Sequence, residues 1–238
     1  MPPTELPIYE CRRASGPIRI DGVLDEEDWR HAQAMTLNEC TTGAPLPPEL
    51  RTLARMLWDS ENLYVSFDVA DPDIRCTLTE RDDCLFEEDV VELFVAMRGL
   101  PEVQGHFAEF EISPTGVLMD LYNLAPYKSL INWDAKGWRC ATRIDGVLNN
   151  PRVRDRGYTV EMAIPFINFY AQPFLPQRAK ERGKGDFAPK PGEEWRMNLF
   201  RIDHSGEREV VTYCSWSPTI ERKFHTPHRF GIVRFVGS

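Results

Sequence analysis

The feature that most constrains the fold of this chain is a two-residue alternation of apolar and polar side chains. In residues 62–70 the apolar side chains of Leu63, Val65 and Phe67 alternate with those of Tyr64, Ser66 and Asp68. The same alternation recurs in residues 89–97, 106–112, 158–164 and 195–199. Successive side chains of a strand point to opposite faces, so each segment predicts a strand with one buried face, as in antiparallel sheets.

Further apolar segments predict strands near residues 17–20, 51–58, 116–122, 138–144, 210–216 and 230–236. Turn-forming residues such as Asp71-Pro72 separate these segments. About eleven short strands with such punctuation predict an all-β fold, a jelly-roll-like β-sandwich of two antiparallel sheets. Residues 25–33 are the one good helix candidate, a single short piece.

The chain has 238 residues, of which 42% are hydrophobic, and this length suits one large β domain. Residues 170–192 contain four prolines and three glycines and predict a long surface loop. A strand pattern resumes at Trp195, so this loop is not a domain boundary. We therefore expect residues 1–238 to form a single domain.

The formal net charge is −9, which makes nucleic acid and anionic membranes poor partners, whereas a neutral sugar meets no electrostatic penalty. No run of eighteen apolar residues is present, so no segment is expected to span a membrane. The N-terminus lacks the basic and apolar regions of a secretory signal. We expect a cytoplasmic protein if Met1 is the native start, and a secreted one if a leader has been removed.

The six cysteines form no CxxC pair, which argues against a zinc ribbon or a thioredoxin-type site. Free cysteine packs as a small hydrophobic residue, so we expect most of the six to be buried thiols. Cys76 and Cys84 flank one short loop, and a bridge between them stays open.

The outward phase of the predicted strands carries polar groups able to hydrogen-bond sugar hydroxyls. If the strands are adjacent, these side chains form a polar floor: Glu92, Glu109, Glu111, Glu161, Arg196 and Asn198. The alternative is an ordinary solvated sheet face, which the pattern alone does not exclude.

A sugar site also needs aromatic walls, because pyranose rings present CH-rich faces. Phe86 lies in an acidic loop before Glu92, and Phe224 precedes His225 outside any predicted strand. Each is either an exposed platform for a sugar or a packing residue.

The landmarks of the chain also occur in a recognisable order. They are Ile20-Asp21-Gly22, Leu24-Asp25-Glu26, Trp29, Leu57-Trp58-Asp59, Asn62-Leu63-Tyr64-Val65, Asp71-Pro72-Asp73, Glu88-Asp89-Val90-Val91-Glu92-Leu93-Phe94, Tyr158-Thr159-Val160-Glu161-Met162-Ala163-Ile164-Pro165, Trp195-Arg196-Met197-Asn198-Leu199-Phe200-Arg201, Ser215-Trp216-Ser217-Pro218-Thr219, Phe224-His225-Thr226-Pro227 and Arg229-Phe230-Gly231. This ordered set resembles the family 9 carbohydrate-binding modules, especially their stand-alone relatives, over nearly the whole chain. The resemblance implies a β-sandwich with a sugar groove on one face.

By motif position, the two aromatics that sandwich a terminal sugar in the family correspond to Phe86 and Phe224, and its acidic hydrogen-bonding residue corresponds to Glu92. The polar residue of the 195–201 segment corresponds to about Asn198 or Phe200. Three departures stand out. Both aromatics are Phe where the best-known members have Trp, Glu111 replaces a basic residue, and Phe200 replaces an amide.

The resemblance also implies structural calcium. Oxygen donors cluster in one loop region, and Asp71 and Asp73 are the candidate ligands there, without the spacing of an EF-hand.

The function expected from these features is non-catalytic carbohydrate binding, in association with a catalytic glycosidase on another chain or alone. Two alternatives stay open. Paired glutamates among Glu92, Glu109, Glu111 and Glu161 would suit a glycan hydrolase or lyase. Haem ligation by Met97, Met119, Met197 or His106 would suit a redox module, although the apolar phase of Met97 and Met197 favours core packing.

Overall fold

The computed structural model describes residues 5–96, 106–124, 128–170, 187–205 and 210–237. The described residues contain thirteen strands and two short helices. In chain order these are β1 Ile8–Arg13, α1 Glu27–His31, β2 Met35–Glu39, β3 Thr52–Trp58, β4 Asn62–Ala70, β5 Val90–Ala96, β6 Phe107–Ile112, β7 Leu118–Leu124, β8 Lys128–Leu130, β9 Arg139–Asp145, β10 Gly157–Pro165, α2 Ile167–Tyr170, β11 Glu194–Ser205, β12 Val210–Ser215 and β13 Gly231–Val236. The predicted all-β class is confirmed.

Hydrogen bonds join all the described strands into one network, in the order β8-β7-β6-β5-β11-β12-β2-β3-β4-β10-β9. Strand β1 pairs in parallel with β13 and with β3, and β13 pairs with β11. The strands β11, β12, β2, β3, β1 and β13 therefore close a ring. On one side of this ring β5, β6 and β7 extend the network, and on the other side β4, β10 and β9 do so.

The alternating apolar positions face a shared core, as the sequence predicts. Phe67 on β4, Phe110 on β6 and Met197 on β11 are fully buried and belong to a single cluster of contacting side chains. Fully burying a side chain of this size stabilises the fold by about 1.5–3 kcal/mol. The side chains that alternate with them on the same strands therefore point away from this core.

The prediction of a strand near residues 17–20 was wrong. This segment is irregular, and Ile18 packs with Trp29 and Leu57 in a small cluster of its own. Pro17 removes a backbone donor, which disfavours a ladder here. Strands β1, β2 and β8 were not predicted, because they are short and carry little apolar alternation.

The helix expected within residues 25–33 is present as α1, but it is only five residues long. Of the predicted 170–192 loop, residues 171–186 lie outside the described residues, as does Met97. Residues 187–192 form neither helix nor strand. Met197, another residue of the haem alternative, packs in the core.

All six cysteines lie in the described part of the chain and are free thiols, including Cys76 and Cys84. Cys11, Cys40, Cys76 and Cys214 are buried, as expected for small apolar side chains, whereas Cys84 is exposed. The described helices are all too short and polar to cross a membrane.

Candidate functional site

An open groove of about 520 Å³ lies over the outward face of β5, β6 and β7. The segment before β13 and the turn before β5 form its walls. Its lining residues are Phe86, Glu92, Phe94, Glu109, Glu111, Met119, Leu121, Ile202, Tyr213, Arg222, Lys223, Phe224 and His225. The groove therefore combines a polar floor with aromatic walls, as the sequence predicts for a sugar site.

The strand alternation places the floor residues. Val91 and Leu93 point into the core, so Glu92, which lies between them, points outward into the groove. The β5–β6 register sets Glu92 directly opposite Glu111. Glu109 lies two residues from Glu111 on the same strand and therefore on the same face.

The three floor carboxylates are close together and almost completely buried. Glu92, Glu109 and Glu111 are 2%, 4% and 1% exposed, and one oxygen of each lies within 4.8 Å of the others. Burial, followed by the charge of neighbouring glutamates, raises the pKa of Glu92 and of Glu111 well above the usual range. Protonating one of these carboxylates, or binding a positive charge beside them, therefore relieves the repulsion between them.

Glu109 is the best-partnered member of this floor. It accepts a hydrogen bond from Asn123 Nδ2 at 2.6 Å and lies 3.1 Å from His225 Nε2. Burial alone would lower the pKa of His225, but the hydrogen bond and charge of Glu109 outweigh it, so the pKa is raised. The predicted site residue His225 therefore lines the groove through its pairing with Glu109.

Phe86 forms one wall of the groove. It lies in a 3₁₀ turn, Leu85–Glu87, whose Leu85 is buried and fixes the turn against the strands. Phe86 itself is 45% exposed, so much of its ring is available to a ligand. This exposure is what a platform requires, and sugar binding by Phe86 stays a prediction.

Phe224 forms the other wall and is half-buried. Its ring stacks on Phe200, with centroids 4.1 Å apart and planes inclined by 16°, and Tyr213 meets it edge-on at 5.9 Å. One face of Phe224 is therefore occupied by Phe200. Phe224 is both a groove wall and a packing residue.

Positive charge lies at the mouth of the groove. Arg222 sits over the ring of Tyr213 at 5.2 Å, and Lys223 Nζ lies 3.3 Å from Glu221 Oε2. Both basic residues are exposed, in contrast to the buried carboxylates of the floor.

Two predicted site residues support the groove without lining its described part. Asn198 is fully buried and clamps Ser217, accepting from its N–H at 2.9 Å and donating to its carbonyl at 2.8 Å. Arg196 donates to the carbonyls of Phe230 at 2.7 Å and His228 at 2.9 Å. These contacts hold the C-terminal segment that carries Phe224 and His225, so the prediction of direct ligand contact is corrected to support.

Glu161 is also displaced from its predicted place. Strand β10 lies on the far side of the ring from β5, and the carboxylate accepts from Trp29 Nε1 and from Gly22 N, each at 2.8 Å. Its role is to anchor the N-terminal segment. Gly22 suits this contact because its φ is +78° and an added Cβ would lie 2.9 Å from the Thr142 backbone.

Sequence reasoning missed several lining residues. Met119 and Leu121 occupy the outward phase of β7, opposite Glu111 and Glu109, and their apolar character hid them in a search for polar groups. Arg222 and Lys223 directly precede Phe224 in the sequence, and this proximity could have identified them as lining residues.

The first calcium candidate, Asp71, belongs to a buried carboxylate cluster with Asp89 and Asp203. Arg201 is fully buried against this cluster and donates to Asp71 Oδ2 at 2.9 Å, to Asp203, and to the Ala70 carbonyl at 2.9 Å. Burial, followed by the charge of Asp71, raises the pKa of Asp89 to about 8. A guanidinium already supplies the positive charge that Asp71 and Asp203 need, so this set does not fit a calcium ion well.

The second candidate, Asp73, is likewise paired with an arginine. Its Oδ2 accepts from Arg75 Nη2 at 3.0 Å and from Arg75 Nε at 3.2 Å. Calcium binding at Asp71 and Asp73 stays a prediction. The pairing of these two residues with Arg201 and Arg75 argues against it.

The strand network and its groove define the class of protein, a β-rich ligand-binding module. Residues 20–238 match the family described as "Carbohydrate family 9 binding domain-like". The chain therefore belongs to this family. A search of curated proteins gave no match.

Solved structures share the fold at low sequence identity. A protein from Bacteroides uniformis assigned to carbohydrate binding has 15% identity and a TM-score of 0.69, with 96% of this chain and 97% of that chain covered. A family 9 module from Caldicellulosiruptor kristjanssonii in complex with cellotriose has 14% identity and a TM-score of 0.65, covering 98% and 95%. The same organism's family 9 module with glucose has 14% identity and a TM-score of 0.63, covering 97% of each chain.

Proposed function

We propose that this protein binds carbohydrate without catalysing its breakdown, and that the ligand lies in the groove between Phe86 and Phe224 over Glu92. The observation that carries the proposal is the half-exposed ring of Phe86 beside a buried carboxylate floor. Membership of a carbohydrate-binding family and the sugar complexes of two neighbours in that fold support it.

The chemistry of the groove suits a sugar ring. The apolar faces of a pyranose cover aromatic carbon, which stabilises the complex by removing apolar surface from water. Its hydroxyls form hydrogen bonds with the floor carboxyl groups, each worth about 0.5–1.5 kcal/mol, and more where the acceptor is charged. Phe86 and Phe224 supply the first contribution, and Glu92 supplies the second.

Glycan hydrolysis is the second candidate, because buried carboxylates with raised pKa values are typical of active sites. Hydrolysis requires two carboxyl groups that flank the scissile bond, about 5–5.5 Å apart in retaining enzymes and 6.5–9.5 Å apart in inverting ones. Glu92, Glu109 and Glu111 instead share one face of the sheet and lie beneath a ligand in the groove. This arrangement supports binding over catalysis.

The test is a calorimetric titration with glucose, cello-oligosaccharides and other small glycans, on the wild type and on Phe86→Ala. Ile131→Ala is a matched control, since Ile131 is 68% exposed but lies outside the described groove lining. Saturable binding that Phe86→Ala weakens and Ile131→Ala preserves supports the proposal. Sugar release from a glycan panel would instead favour the hydrolase.

We also propose that the strand network forms a jelly-roll-like sandwich within a single domain. Support comes from core residues of β4 and β10, on one side of the ring, and of β5 and β6, on the other, which belong to one cluster. A glycosidase on another chain is the proposed partner, because a binding module raises the effective concentration of an associated enzyme at its substrate. Co-sedimentation of the two on an insoluble glycan tests this partnership.

A further inference from the structure

The floor of the groove brings together more acidic groups than a neutral ligand requires. Glu92 and Glu111 face each other across the β5–β6 ladder, and Glu109 lies beside them. Like charges opposite one another destabilise a sheet, and burial strengthens their repulsion by excluding water. A chain that keeps three such groups together at a ligand site has a cluster that a bound positive charge would stabilise.

Two members of the cluster have open acceptor positions. Among the described residues, no hydrogen bond reaches the carboxylate of Glu92. Glu111 shares a hydrogen bond with Glu109, but its Oε2 is buried with no hydrogen-bond partner. Glu92 and Glu111 are 2% and 1% exposed, and both line the groove. Buried acceptors are normally satisfied, so this pair is set up to accept hydrogen bonds from a ligand.

The surroundings of the cluster distinguish between possible cations. A calcium ion takes six to eight oxygen ligands, but the floor beside the carboxylates consists of Phe94, Met119 and Leu121, which offer none. An ammonium group has three N–H donors and no acceptor, which suits the open oxygens of Glu92 and Glu111 beside Glu109. The aromatic walls would hold the ring that carries such a group.

We propose that Glu92, Glu109 and Glu111 make the groove selective for a sugar that carries a protonated amine, such as a hexosamine or its β-linked oligomers. This inference rests on the proposed function, because the same groove and aromatic walls hold the ring. The amine lies on the floor, and the remaining hydroxyls point toward the mouth.

Among the described residues, none of the positive groups around the groove pairs with Glu92 or Glu111. His225 lies 3.1 Å from Glu109. Arg222 lies over Tyr213, and Lys223 is paired with Glu221 at the exposed mouth. The floor is therefore acidic and the mouth basic, which orients a ligand with its amine inward.

The experiment compares glucose, glucosamine, N-acetylglucosamine and glucuronate by titration at pH 7 in the presence of a chelator. We expect glucosamine to bind at least about tenfold more tightly than glucose, equivalent to 1.4 kcal/mol. N-acetylglucosamine should lose this preference, because acetylation removes the charge.

Variants test the residues. Glu111→Gln keeps the shape of the side chain and should bring the glucosamine-to-glucose affinity ratio toward one, and Glu92→Gln provides a second variant if the first folds poorly. Glu194→Gln is the control, since it removes one negative charge at a surface pair with Arg234, 2.8 Å apart, outside the described groove. It should leave the ratio unchanged.

The outcomes separate this inference from the function on which it rests. Equal binding of glucose and glucosamine would overturn amine selectivity and leave carbohydrate binding standing. Tighter binding of glucuronate than of glucosamine would show that the basic mouth decides specificity. Glucose binding that requires added calcium would assign the glutamate cluster to a metal. Either result would overturn the inference. Absence of binding to any glycan tested would overturn both.

Discussion

Replacing Phe86 by alanine is the most direct test of the groove, because this ring is partly exposed and contributes little to core packing. A phenylalanine offers roughly 200 Å² of surface, so the 45% that Phe86 exposes is about 90 Å². If a sugar ring covers between half and all of that area, the loss at ~25 cal/mol per Å² is about 1–2 kcal/mol. We therefore expect Phe86→Ala to weaken binding about 5- to 30-fold.

The stability of the variant provides the second half of this test. A fully buried phenylalanine costs about 3–5 kcal/mol when it is truncated to alanine. Truncating Phe86 to alanine leaves no closed cavity, because nearly half of its surface already faces solvent. We expect the free energy of unfolding to fall by less than about 2 kcal/mol.

Both quantities are measurable on the same protein, by titration with the best-binding glycan and by chemical denaturation. The combination of weaker binding and nearly unchanged stability identifies a ligand platform. A loss of stability above about 3 kcal/mol, with affinity per folded molecule unchanged, would show that Phe86 is a packing residue and refute the reasoning.

The remaining predictions concern stability. Phe224→Ala should weaken sugar binding and also destabilise the fold by about 1–3 kcal/mol, because it removes the stack on Phe200; denaturation and titration measure the two effects. Glu161→Gln should destabilise by about 1.5–3 kcal/mol, because the amide keeps only one oxygen for the N–H donors of Gly22 and Trp29, without changing sugar affinity, as denaturation and titration will show. Chelation of calcium should leave the melting temperature unchanged, because Arg201 already neutralises Asp71. Stability should fall as pH rises from about 5 to about 8, since burial raises the pKa of Asp89 to about 8 and that of Asp120 to about 6; denaturation across this range measures the slope.

The sign of the pH effect follows from proton uptake. Each carboxyl whose pKa is raised on folding binds more protons in the native state than in the unfolded state. Its stabilising contribution is therefore complete below the unfolded pKa and is lost as pH rises through the folded value. Glu39, with a pKa lowered to about 2, is ionised throughout this window, and His106, whose pKa burial lowers, acts in the opposite direction. The groups that drive the fall are Asp71, Asp89, Glu92, Glu111, Asp120, Glu161 and His225.

Each of these predictions has a result that would contradict it. Phe224→Ala with full stability would mean that its stack on Phe200 contributes nothing. Loss of sugar binding in a stable Glu161→Gln protein would return Glu161 to the site. A lower melting temperature with chelator would support the structural calcium that the family resemblance implies, and stability that rises toward pH 8 would mean that the buried carboxyls are solvated.

The strands on either side of the core were predictable because alternation is a local property. Phe67 and Phe110 stand in strict two-residue phase with their neighbours, and both are buried as that phase requires. The same phase placed Glu92 and Glu111 on one outward face, and the register confirms that they are opposite each other. Phe86 was found by its family motif, and its exposure agrees with the expected platform.

The alternation of apolar and polar residues could not predict the order of the strands in the network. Glu161 has the same outward phase on β10 as Glu92 has on β5, but the two strands lie on opposite sides of the ring. Asn198 shares a face with Phe94, yet the chain returns over it and Ser217 covers its amide. Side chains of one phase meet at a site only if their strands are neighbours and nothing folds over them, and both conditions depend on contacts distant in sequence.

The groove floor is explained better by ligand binding than by folding. Packing on this outward face would be served equally well by apolar residues at Glu92 and Glu111, since Phe94 and Met119 line the same groove and Met119 lies opposite Glu111. Three buried carboxylates instead reduce stability through desolvation and mutual repulsion. By contrast, the equally buried Asp71 and Asp203 are matched by Arg201 within the chain. The difference between these two acidic clusters is that Arg201 is buried within one, whereas in the other only Glu109 has a basic partner, His225. Glu92 and Glu111 open onto a groove, which is why we look for a further positive charge in the ligand.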